Sequence, residues 1–81
     1  NINMQTILFT VEVNRRNLTQ KLFTTHQRAK EFAEKKYCNG SEQLWNGDEY
    51  KEFKTVGVVD DVESLITVTP NRLDGYRVFA D

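Results

Sequence analysis

Two periods alternate along the chain. Residues 5–13, QTILFTVEV, alternate with a period of two. Ile7, Phe9, Val11 and Val13 share one face; Thr6, Leu8, Thr10 and Glu12 share the other. β-Branched and aromatic residues dominate, which predicts a strand with one apolar face, as in an antiparallel sheet wetted on one side. Residues 14–17 read as a polar turn and residues 18–23, LTQKLF, as a shorter return strand, a β-hairpin in all. The period then changes. Over residues 23–40, FTTHQRAKEFAEKKYCNG, Ala29, Phe32, Ala33 and Tyr37 fall on one helical face, with the stem of Lys36 along its edge. Arg28, Lys30, Glu31, Glu34 and Lys35 fall on the other, and Glu31 and Lys35 form an i,i+4 pair. Thr24 with Gln27 has the capping-box spacing, Lys35 and Lys36 suit the negative end of the helix dipole, and Asn39-Gly40 supplies a left-handed stop.

Residues 41–53 carry competing signals. Asn46-Gly47 is a two-residue hairpin turn, whereas Asp48 would cap a short helix with Tyr50 and Phe53 on one face; hairpin or loop is the favoured reading. Residues 54–60, KTVGVVD, read as a strand in which Gly57 marks a bulge or the close approach of another backbone. Asp60-Asp61 turns the chain, and residues 62–69, VESLITVT, form the next strand. Pro70 is expected to stop it, residues 71–75 to turn, and residues 75–80, GYRVFA, to form a last strand. The order β-β-α-β-β(-β) predicts an α+β domain: an antiparallel sheet of four to five strands with one amphipathic helix packed on one face. At 81 residues the chain is expected to be a single domain, residues 1–81. Residues 1–3 precede the sole methionine and are read as an addition ahead of the natural start.

Cys38 is the one cysteine, so no intrachain disulfide forms, and a reducing, cytoplasmic setting is expected. No secretory signal is visible, and no apolar run approaches the ~18–20 residues of a membrane span. The net charge of −1 hides an asymmetry: residues 1–40 hold seven Lys/Arg and three Asp/Glu, residues 41–81 four and nine.

Catalytic chemistry finds little to stand on. His26 and Cys38 lie at opposite ends of the predicted helix, about 18 Å apart at 1.5 Å per residue, too far for a nucleophile and its base. No metal-ligand spacing and no glycine-rich phosphate loop occurs, so neither metal nor cofactor is expected. Asp60, Asp61 and Glu63 could hold a hard cation, but a solvated acidic turn is the simpler reading.

Two binding readings remain. Arg15, Arg16, Lys21, Arg28, Lys30 and Lys35 lie on the predicted hairpin and helix, where a shared face would make a phosphate-binding patch for nucleic acid. Glu31 and Glu34 on the same helix, and a pI near 5.8, weigh against it. The favoured reading is protein binding through the acidic, aromatic stretch of residues 42–63. Trp45, Asp48, Glu49, Tyr50, Glu52, Asp60 and Asp61 are its expected contacts, and a basic or nucleic-acid-binding surface on another protein its expected partner. Trp45 has a second reading, as the residue closing one end of a small core. A monomer or a homodimer is expected.

The leading hairpin followed by F-[ST]-T-x-x-x-A-K-E-F-A-E-K resembles the small α+β proteins of bacteriophages and other mobile elements. The resemblance spans about residues 5–37. Some of those proteins inhibit host defence, anti-CRISPR proteins among them. The resemblance implies a protein that acts by binding and blocking another macromolecule, and it assigns no site residues.

Overall fold

The computed structural model describes residues 7–72. Five elements follow in order: β1 (Ile7–Val13), α1 (His26–Tyr37), β2 (Asn46–Asp48), β3 (Glu52–Val59) and β4 (Val62–Arg72). The strands form one antiparallel sheet in the order β1-β4-β3-β2, with the helix on one face, the α+β class that the patterning predicts.

β4 is the longest strand, and the fold is built about it. It takes β1 on one side, from Ile7 opposite Arg72 to Val13 opposite Ile66. It takes β3 on the other, from Phe53 opposite Val68 to Val59 opposite Val62. This register brings Phe9, Val11, Val13, Ile66, Val68 and Phe53 to the helix side, because side chains two apart share a face. There they close the core with Ala29, Ala33 and Tyr37. Two alanines, both fully buried, let the helix axis sit close to the sheet. At the helix end the approach is closer still: a Cβ added to Gly57 would stand 2.7 Å from the Tyr37 carbonyl oxygen. Gly57 therefore marks a close backbone approach, one of its two expected roles.

Two hairpin turns do without glycine. Asn14 and Arg15 adopt φ of 48° and 72°, and Asp60 and Asp61 φ of 51° and 65°. Both are two-residue turns with left-handed central residues, the type whose twist matches that of the strands. The Asn14 N–H donates to the Leu65 carbonyl, and the Asn14 Oδ1 accepts from the Leu65 N–H, so the first turn is pinned to β4.

Several expectations give way. Residues 18–23 form no strand; only single bridges link Val13 to Arg16 and Phe9 to Phe23. Asn17 Oδ1 accepts from the Gln20 N–H and Gln20 is left-handed at φ 57°, so the chain bows out between the two bridges, leaving Leu18 and Leu22 exposed. The helix cap is Thr25, whose Oγ1 accepts from the Arg28 N–H, and not Thr24. The Asn39-Gly40 stop does form, at φ 55° and 76°. Asn46-Gly47 is not a turn but the start of β2, and Asp48 caps no helix. Asp48 turns the chain instead, its Oδ1 accepting from the Tyr50 and Lys51 N–H groups. Gly47 is needed because its φ is 127° and the Glu52 carbonyl fills the place of a Cβ. Pro70 does not stop β4, which continues through Asn71 to Arg72. The Phe9 N–H bonds Phe23, so Phe9 and Pro70 are not a hydrogen-bonded pair. The missing proline N–H thus falls on the β3 side, past the end of β3. The strand expected over residues 75–80 lies outside the described residues.

Candidate interaction surface

The acidic residues singled out by sequence do not form one patch. Asp48, Glu49, Tyr50 and Glu52 gather at the β2–β3 turn, whereas Asp60 and Asp61 sit at the other end of β3, in its turn to β4. Those of the first group are engaged within the fold. Asp48 holds the turn. Glu49 Oε1 lies 3.5 Å from His26 Nε2 at the start of α1. Glu52 accepts a 2.6 Å hydrogen bond from Arg15 and has Lys54 Nζ at 3.9 Å. The second group differs: Asp60, Asp61 and neighbouring Glu63 are exposed, and none enters an ion pair among the described residues.

Trp45 takes the structural role of its two. Half-buried against the core, it donates from Nε1 to Glu34 Oε2 at 2.9 Å, and the same carboxylate oxygen accepts from the Gln43 N–H. Glu34 thus ties the chain leaving the helix to the helix itself. The contact fixes the orientation of the indole against the helix.

The basic set is also divided. Arg15 crosses to Glu52, joining the positive and negative halves of the sequence. Lys30 Nζ sits 3.4 Å from the centroid of the Phe53 ring, and burial there lowers its pKa from the ordinary lysine value. Lys21 lies 5.0 Å from the Phe32 ring centroid, and Phe32 packs half-buried on Phe23 at the margin of the core. Arg16, Arg28 and Lys35 are exposed. Burial also raises the Cys38 thiol above its usual value, away from the reactive thiolate. Among the described residues no three of His, Cys, Asp and Glu gather as a metal group, and no helix is long and apolar enough to cross a membrane.

The Arg15–Glu52 contact carries a pH signature. The hydrogen bond from Arg15 holds the Glu52 carboxyl below its ordinary value of 4.5. A depressed carboxylate contributes stability that is present above its unfolded pKa and is lost as pH falls through the folded one. In a carboxyl-carbon NMR titration Glu52 is expected to titrate below 4.5, and Arg15→Ala to return it towards that value. An unchanged Glu52 midpoint in Arg15→Ala would show that the contact does not persist in solution.

What sequence reasoning missed lies on the sheet face away from the helix. Phe53, Gly57 and Ile66 face the helix, so alternation turns Val56 and Val58 to the open face, where they are 52% and 54% exposed. Leu65, half-buried, stands opposite Val56, and Glu63 opposite Val58. Leu44, two residues ahead of β2, is 94% exposed. Elsewhere the open face is hydroxylated: Thr10 and Thr67 are buried in it, and Asn71 donates to Thr10. The exposed apolar residues of the strands on this face are therefore Val56 and Val58 of β3, Leu8 on β1 being half-buried. Gly57 was the available signal, since a glycine marking the helix contact assigns its neighbours to the opposite face. No family model, curated protein or solved structure matches the chain.

Proposed function

We propose that this chain is a small non-enzymatic protein-binding module that docks a partner on the β3 side of its open sheet face. One observation carries this reading: Val56 and Val58 are half-exposed beside the acids Asp60, Asp61 and Glu63, which have no ion-pair partner among the described residues. Apolar side chains at the centre with uncompensated charge at the rim suit a partner surface that is basic around an apolar contact. The contacts move along the stretch of residues 42–63, away from the occupied Asp48, Glu49 and Glu52 and towards its second half. The resemblance of the helical run to small mobile-element proteins supports a blocking role, in which the module covers a basic, nucleic-acid-binding site of a host protein.

The test begins with capture of the partner on immobilised protein and its identification by mass spectrometry. Affinity is then compared for Val56→Lys/Val58→Lys and for Asp60→Asn/Asp61→Asn/Glu63→Gln, which removes the charge and keeps residues that tolerate the left-handed turn. Each set is expected to weaken binding at least about tenfold, roughly the 1.4 kcal/mol of one decade in affinity, with little change in melting temperature. The acidic set should act mainly on the association rate and its salt dependence. Loss of binding on reversing Arg15, Arg16 and Arg28, with both sets above silent, would move the interface to the basic residues.

A further inference from the structure

Resting on that reading, we infer that the partner docks by adding a strand to the open edge of β3, antiparallel, with a basic residue opposite Asp60 and apolar residues opposite Val58 and Val56. The register gives the direction of each backbone group. Leu65 exchanges hydrogen bonds with Asn14, so odd-numbered residues of β4 turn their backbone groups to β1, and Ser64 and Ile66 turn theirs to β3. Their register partners on β3 are Gly57 and Thr55. Val56 and Val58 therefore point their N–H and C=O groups away from β4, to the outer edge. β2 reaches only Glu52, Phe53 and Lys54 along that edge. No hydrogen bond to the backbone of Val56 or Val58 is present on that side among the described residues.

An edge of this kind is a template for another strand, because unpaired backbone groups and side-chain contacts are offered together. Two features limit what fits. Asn46 occupies the place beside Lys54, so the added strand has room only alongside residues 56–60. Asp60, exposed and without an ion-pair partner among the described residues, is the first residue of the turn that follows Val59, so its charge stands at the end of this edge, two positions beyond Val58. The matching sequence is then five residues long, basic–x–apolar–x–apolar, with cross-strand pairs of opposite charge and of valine with an aliphatic residue.

Amide hydrogen exchange followed by NMR tests this on the whole chain, with the acetylated and amidated pentapeptides RTVTV and ETVTV as probes. In the free protein Val56 and Val58 are expected to exchange as open amides while Thr55, Gly57 and Val59 are protected. Millimolar RTVTV is expected to slow Val56 and Val58 about tenfold or more, and ETVTV to do so far less. Slow exchange at Val56 and Val58 in the free protein would mean that the edge is already covered, and would overturn the inference. So would a failure of RTVTV to slow them, or equal protection by ETVTV. Val58→Pro separates this inference from the reading beneath it, because it removes the outward N–H while keeping an apolar side chain at the position. With its melting temperature retained, it is expected to lose RTVTV and to weaken the captured partner. If that partner still binds Val58→Pro while the valine-to-lysine variant loses it, the docking surface stands and strand addition falls.

Discussion

Ile66→Ala is expected to cost about 2–5 kcal/mol, the range for truncating a large aliphatic side chain in a packed core. Ile66 is fully buried on the central strand, opposite Val13 on β1 and Thr55 on β3, with the helix packed over the same face. Such a site has neighbours on every side and little room to collapse into the space left behind. The effect is large against the whole, because an 81-residue domain at ordinary per-residue stability holds only about 4–12 kcal/mol. Urea unfolding should show a lower midpoint with the slope retained. The comparison is Phe32→Ala, on the margin of the core, which is expected to cost less despite the larger side chain removed. Equal costs would place Phe32 inside the core and contradict the packing described.

The core was legible in the sequence wherever one period ran unbroken. Ile7 to Val13 and Ala29 to Tyr37 each carry a single pattern, and each buries most of the face that the pattern names, with Ile7 and Phe32 half-buried at the margin. The failures fall where a residue's local preference yields to tertiary pairing. Asn46-Gly47 has the chemistry of a tight turn, yet Gly47 lies where β2 passes the Glu52 carbonyl, and the turn is made two residues later by Asp48. Pro70 is a breaker in isolation, but it sits where the ladder asks no donor of it. Leu18 and Leu22 lent residues 18–23 the look of a strand, although the segment meets β1 at its ends alone.

The surface was harder to read, for a different reason. Charge in a sequence carries no record of its partner, so Arg15 and Glu52, 37 positions apart, read as two separate patches and form one contact. Glu49 and His26 do the same between the β2–β3 turn and the helix. Aromatic residues mislead in a similar way. Trp45 stands in an irregular acidic stretch, as an exposed anchor would, yet its indole N–H is spent on Glu34. The valines of β3 gave no signal of their face. In KTVGVVD both faces offer apolar residues, and only the contact at Gly57 decides which of them meets water.

Gly57→Ala makes that contact measurable. The added methyl would lie 2.7 Å from the Tyr37 carbonyl oxygen, 3.0 Å from Ile66 Cγ1 and 3.1 Å from Tyr37 Cβ. The nearest of these is backbone, which a change of rotamer does not relieve, so the last turn of α1 must move off the sheet. Overpacking of this kind costs about 1–3 kcal/mol. Strand propensity acts the other way, since glycine weakens a strand interior and alanine restores part of the loss. Those two effects differ in sign, and the sign of the measured change decides between them. A net loss of stability is expected, with faster amide exchange at Tyr37 and Cys38 and little change at Thr25 to Ala29, because the strain enters at the C-terminal end of the helix. Gly57→Val should be worse, as further methyl groups are driven into the same space. If Gly57→Ala instead stabilises the protein, the helix does not rest on this position in solution. The assignment of Val56 and Val58 to the open face would then lose the observation that orients it.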